Sequence, residues 1–165
     1  MPARAAGATT AVRRPRAVLH RGGVVMRERF RVAPRCGDAE PRPEDALRVR
    51  AMRRLAAERL RVCELEALAD DVPLILSELL TNALLHSGTT EIGLSLTVEN
   101  GVLTIVVRDG KPGIASPRVA NDEDESGRGL LLIESLVQET GGSWGTRDAG
   151  AETWCSLEVP AEEQR

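Results

Sequence analysis

Aromatic side chains are nearly missing from this 165-residue chain, which has no Tyr, one Phe (Phe30) and two Trp. Stacking on nucleic-acid bases therefore has almost no material to work with, and a core must be assembled from Leu, Val, Ile and Ala. Cysteine is scarce too. Cys36, Cys63 and Cys155 are odd in number and lack C-x-x-C spacing, so neither a disulfide framework nor a zinc site is indicated, and a reducing cytoplasm fits best. No run approaches the roughly 18 apolar residues of a membrane span, and the N-terminus has no apolar h-region.

Net positive charge is missing from most of the chain, although the net charge of -3 conceals this. Residues 1–35 hold nine Arg against one acid, Glu28, a balance of +8; the remainder holds 13 Lys plus Arg against 24 acids, a balance of -11. An acidic body is the opposite of what a bare nucleic-acid binder shows, so direct nucleic-acid contact is not expected. Residues 1–25, rich in Arg and Ala and without usable periodicity, read as a disordered extension, with Met26 a candidate start. One domain is expected over residues 26–161, followed by a short tail at 162–165.

What is present is strongly patterned. A strand is predicted over Arg27 to Val32, and a helix over Pro43 to about Arg61, with Ala46, Val49, Met52, Ala56 and Leu60 on one side and six Arg on the others. This Arg-covered helix is the expected protein-facing side. A second helix starts near Asp71, read as its N-cap, and stops at Gly88. Alternation at Ile92, Leu94, Leu96 and Val98, then Asn100-Gly101, then Val102 to Arg108, is the strongest short hairpin signal available. Residues 111–126 read as a long mobile loop of the kind that serves as a functional lid. A third helix is predicted from Leu130 to about Thr140, and strands near 144–147 and 153–159 close the chain. Neighbouring strands pair, so the fold class is α+β: a two-layer sandwich with an antiparallel or mixed sheet and helices on one face.

The second helix, LILSELLTNALLHS at Leu74 to Ser87, carries Glu78 and Asn82 one turn apart amid Leu. At i and i+4 they lie on one face and can act together on a single ligand. A carboxylate and an amide in apolar surroundings are costly unless paired, which points to a metal ion or polar ligand. His86 shares their stripe but reads as satisfying the last carbonyls of the helix. Asp109 ends an apolar strand and can accept a hydrogen bond from an exocyclic amine. Gly127 and Gly129 precede a helix, whose unpaired N–H groups and dipole favour a phosphate. The Asn82 side-chain oxygen suits Mg²⁺, a hard cation that often binds through substrate phosphates.

This order of helix, strand end, loop and glycine-rich helix start resembles the GHKL ATPase superfamily, which includes gyrase, histidine kinases and the anti-sigma-factor serine/threonine kinases. SELLTNALLHS looks like its N box, VRDGKPG like its first glycine box and SGRGLLLIESL like its second, and the small anti-sigma-factor kinases resemble the chain most, over roughly Phe30 to Pro160. The resemblance implies a Bergerat-type ATP-binding fold, ATP and Mg²⁺ as cofactors, and a cytoplasmic protein kinase. It implies Glu78 as general base or water-positioning acid, Asn82 as Mg²⁺ ligand, Asp109 on the adenine amine and Gly113 admitting the nucleotide to the backbone. Gly127 and Gly129 would face the phosphates, with Arg128 a charge partner. Phosphoryl transfer mainly needs positioning and charge neutralisation, which suits so sparse a set. Implied partners are a small antagonist protein that accepts the phosphate and a sigma factor that is sequestered; a homodimer is also implied. Two positions depart from the family pattern. In D-x-G-x-G, Lys111 stands where the first glycine belongs, and in G-x-T-V-W, Glu152 falls at the Thr position unless the turn shifts by one. These departures keep a second reading open, a nucleotide-dependent regulatory binding module without phosphotransfer.

Overall fold

Alternating and helical periodicities resolve, among the described residues, into β1 (Gly23–Arg31), α1 (Pro43–Val62), α2 (Asp71–His86), β2 (Glu91–Glu99), β3 (Val102–Arg108), α3 (Glu125–Glu139), β4 (Ser143–Arg147) and β5 (Glu152–Glu158). The computed structural model describes residues 22–34, 40–110 and 125–161. The strands form one five-stranded sheet in the order β1-β2-β3-β5-β4, antiparallel at every pairing. Of the two sheet types the sequence left open, the antiparallel one is realised.

Side-chain alternation gives the sheet two unlike faces. Ile92, Leu94, Leu96 and Val98 of β2, Leu103, Ile105 and Val107 of β3, and Cys155 and Leu157 of β5 are buried on one face. They form one core with Val49, Ala56 and Leu60 of α1, a long row from α2, and Ile133 and Val137 of α3. The opposite face carries Arg27, Arg29, Ser95, Thr97, Thr104, Val106, Trp154 and Ser156, in register across the strands. The result is an α+β two-layer sandwich.

Local chemistry fixes the ends of the elements. Asn100 and Gly101 both have positive φ, 52° and 75°, as a type I′ hairpin requires. The buried Asp45 carboxylate accepts the Ala33 N–H at 3.1 Å and an Arg48 Nη1–H at 2.8 Å, while Arg48 Nη1 also donates to the Arg31 carbonyl, pinning the first turn of α1 to the end of β1. Helix α1 closes with Glu64 in the left-handed region, its N–H on the Arg61 carbonyl and that of Leu65 on Leu60. Helix α3 closes the same way through Gly141 and Gly142, on Gln138 and Val137, so both ends are Schellman motifs.

Three boundaries differ from the sequence expectation. Strand β1 starts at Gly23 rather than Arg27, so that Val25 and Met26 join the core, with a register shift between Val24 and Met26. The residue before α2 is Asp70 rather than Asp71, and it makes no side-chain capping bond. Helix α3 begins at Glu125 rather than Leu130, which puts Gly127 and Gly129 inside its first turns. The Leu-rich stretch that follows offsets the poor helix propensity of glycine.

A candidate nucleotide site between two helices and a strand end

The rotation of α2 is set by Val72, Ile75, Leu76, Leu79, Leu80 and Ala83, all buried against the sheet and α1. Burying each of the larger side chains is worth about 1.5–3 kcal/mol, so this row holds the helix in one orientation. Glu78 and Asn82 lie off its edge, half-buried and one turn apart. They line the margin of the core rather than its interior, and the desolvation expected from the sequence is accordingly partial.

Glu78 meets α3 directly. A Cβ placed on Gly129, which is buried, would overlap the Glu78 carboxylate oxygen Oε2 and lie 3.0 Å from the carboxyl carbon. Two residues far apart in sequence are thus brought into contact, and only a glycine lets the α3 backbone approach so closely. The carboxylate sits beside the positive end of α3, where the helix dipole favours a negative charge. Because α3 starts at Glu125, its unpaired amides belong to its first four residues, with Gly127 among them; Gly129 lies one position further and supplies space for Glu78.

The second contact runs from the end of α2 to the end of β3. Ser87 Oγ–H donates to the Ala83 carbonyl at 2.5 Å, and Thr89 N–H donates to Ser87 Oγ at 3.2 Å. The buried Thr89 hydroxyl has the carbonyls of Glu91 and Asp109 each at 2.7 Å and shares one proton between them. From the other side, Asp109 and Gly110 both donate their N–H to the Ala151 carbonyl, at 3.1 and 3.4 Å. The backbone of Asp109 is therefore held from α2 and from β5, with its side chain half-buried. Neither Ser87 nor Thr89 was singled out from the sequence; the hydroxyl-Gly-hydroxyl run just past the helix end was the available signal.

The two sequence departures fare differently. Glu152 pairs in register with Arg108 and Arg147, on the sheet face away from the helices. It is 5% exposed, and its carboxylate accepts from Arg108 Nε at 3.1 Å and from a second Arg108 nitrogen, with Arg147 Nη1 at 3.6 Å. The Arg108 guanidinium is raised above its ordinary value, first by the hydrogen bond to Glu152 and then by its charge. Thr153, opposite Val107, shares the helix-facing side with the buried Cys155 and Leu157. The turn before β5 has three successive positive-φ residues, Asp148, Ala149 and Gly150. Thr153, which the sequence reading passed over, thus faces the helices, and Glu152 faces away from them. Lys111 and Gly113 lie outside the described residues. Arg128 occupies the first turns of α3; only its backbone is described.

Among the described residues no group of three or more His, Cys, Asp or Glu stands together to hold a metal ion. A divalent cation here would rely on the Asn82 amide oxygen and on oxygens of its own ligand, the habit of Mg²⁺ in phosphate sites. No described helix is long and apolar enough to cross a membrane.

Among solved structures, the histidine kinase domain from the blue-light activated histidine kinase of Erythrobacter litoralis EL346 is similar to this chain at 21% identity, over 80% of this chain and 68% of that one, with a TM-score of 0.45. No curated protein matches the sequence significantly. The family model of the histidine kinase-like ATPase domain matches residues 42–157, from just before α1 to the end of β5. That span contains Glu78, Asn82, Asp109 and Gly129, and the chain belongs to the family of histidine kinase-like ATPase domains, which bind ATP.

Proposed function

We propose that the chain is an ATP-dependent serine/threonine protein kinase that acts as an anti-sigma factor, phosphorylating a small antagonist protein and sequestering a sigma factor. The observation that supports this reading best is the contact of the Glu78 carboxylate with Gly129 in the second turn of α3. It sets a proton acceptor beside a helix start suited to phosphate, on elements that are themselves well packed. Asn82 would ligate Mg²⁺ through its amide oxygen, and the ion would neutralise phosphate charge. Asp109, fixed through its backbone by Thr89 and Ala151, would accept the adenine amine. The first-turn amides of α3, including that of Gly127, would face the phosphates with Arg128, and Gly113 would admit the nucleotide to the backbone. Glu78 would then take the proton of the incoming Ser or Thr hydroxyl as its oxygen bonds to the γ-phosphorus and the bond to ADP breaks.

The test is calorimetric titration of Mg²⁺-ATP into wild type and Asn82→Ala, followed by transfer of labelled γ-phosphate to candidate antagonist proteins. Binding that requires Mg²⁺, falls at least about tenfold in Asn82→Ala, and is accompanied by phosphoserine or phosphothreonine on the partner supports the kinase. Absence of binding by the folded wild type removes it. A second reading, a nucleotide-dependent regulatory module without phosphotransfer, is favoured by Lys111 standing where the glycine box has its first glycine. Nucleotide binding with no ADP formed in a single turnover with partner present selects it. A cytoplasmic location and a homodimer belong to the same proposal.

A further inference from the structure

We infer that the outward stripe of α1 is a docking face for an acidic amphipathic helix of a partner protein. Helix α1 buries Val49, Ala56 and Leu60 on one side. The opposite side presents Leu47, Arg50, Arg54, Glu58, Arg61 and Val62 at helical spacing, all exposed. Leu47 and Val62 are 60% and 63% exposed, the two highest values among the exposed large hydrophobic residues. They sit at the two ends of the stripe, about 22 Å apart along the axis at 1.5 Å per residue. Arg50, Arg54 and Arg61, with the one acid Glu58, fill the interval.

Arg29, Arg108 and Arg147 on the sheet form ion pairs, as does Arg48 on the inner flank of α1, whereas Arg27, Arg31, Arg42, Arg53 and Arg59 form none among the described residues. Among the described residues, Arg50, Arg54 and Arg61 take part in none, although the chain beyond residue 35 holds 24 acids. Charge of this sign, left unpaired along one helix of an acidic body, complements a carboxylate-bearing partner, and guanidinium forks bind carboxylates in pairs of hydrogen bonds. The apolar ends select the class of partner. A phosphate backbone offers nothing for Leu47 and Val62 to bury against, and the acidic body repels it, whereas a helix with apolar residues at its ends and Glu between them meets both features. A lipid surface would need a continuous apolar face, which the central Arg residues interrupt.

The face lies opposite the core side of α1, and Glu78, Asn82, Asp109 and Gly129 all lie on other elements. The inference therefore stands independently of the proposed kinase activity. The probe is a fluorescein-labelled, Ala-based helical peptide bearing Leu at its two ends and Glu between, read by anisotropy against its Gln-for-Glu counterpart, a short duplex DNA and anionic phosphatidylserine vesicles. Wild type is expected to bind the Glu peptide in preference to all three. R50E/R54E/R61E should weaken it at least about tenfold, and L47A/V62A should weaken it several-fold, since exposed charge pairs and single apolar contacts each contribute modestly. Both variants should keep the wild-type circular dichroism spectrum and Mg²⁺-ATP affinity. Failure of the Glu peptide to bind, equal binding by R50E/R54E/R61E, or tighter binding of duplex or vesicles overturns the inference.

Discussion

Gly129→Ala separates what the contact with Glu78 does for folding from what it does for chemistry. The added methyl would overlap the Glu78 carboxylate, but the obstruction is the far end of a flexible, half-buried side chain rather than backbone. Glu78 can swing aside at a cost of about 0.5–1.5 kcal/mol for a displaced rotamer. Replacing glycine by alanine within a helix returns about 0.5–1 kcal/mol. The two effects nearly cancel, so the unfolding midpoint should move by no more than about 4 °C. Displacing the carboxylate is another matter, because a positioned general base, the role proposed for Glu78, contributes about 10²- to 10⁴-fold to rate. We expect Gly129→Ala to lose at least about 100-fold in ATP turnover with a near-wild-type melting curve. Calorimetric melting and single-turnover ADP formation on the same preparation provide the two numbers. Unchanged turnover would show that the position of Glu78 is irrelevant to the reaction. A fall in midpoint beyond about 10 °C would show that the carboxylate has nowhere to go.

Gly142 offers the contrasting case. A Cβ there would overlap the Ser156 carbonyl oxygen and come within 2.8 Å of its carbon, and the β5 backbone cannot swing aside; Gly142→Ala should cost about 1–3 kcal/mol in urea unfolding, and an unchanged midpoint would refute the packing. Glu64 ends α1 with a φ of 61°, so Glu64→Gly should stabilise the chain by about 0.5–1 kcal/mol, and any loss would count against the left-handed cap. The Cys155 thiol is pushed up to about 12 by burial. An exposed thiol titrates near about 8.5, so the unfolded chain loses this proton first as pH rises; stability is untouched below about pH 8.5 and falls from there to about pH 12, by at most about 1.4 kcal/mol per unit. Urea unfolding of wild type beside Cys155→Val across that window should show the extra slope in wild type alone, and parallel slopes would sink the assignment.

The amphipathic helices and the hairpin were legible in the sequence because each rests on a local, repeated signal: the Leu row that surrounds Glu78, the one-sided apolar stripe of α1, and Asn100-Gly101 between alternating strands. The same locality explains the misses. Glycine at 127 and 129 argues against helix on propensity, yet α3 runs through both, because the close approach of Glu78 needs a residue without a side chain at 129. Thr89 earns its importance from Asp109, twenty positions later, which no window along the chain can see. The early start of β1 likewise depends on pairing, with Gly23 and Val24 opposite Val98 and Thr97. Glu78 and Asn82 stand out as candidates because a carboxylate and an amide break the pattern of the helix around them.

A strand behaves like a two-sided tape, and the turn at Asp148–Gly150 decides which side of β5 is printed with which residue. As the turn stands, the carboxylate of Glu152 faces its two arginines while the hydroxyl of Thr153 faces the helices. Shortening the turn by one residue so that β5 slides one place in its pairing would exchange them, and would turn the buried Cys155 and Leu157 out of the core as well. Removing two would restore the parity. Length variation at this turn should therefore be tolerated in even steps and punished in odd ones, so that the turn acts as a parity check on which side chains of β5 enter the core.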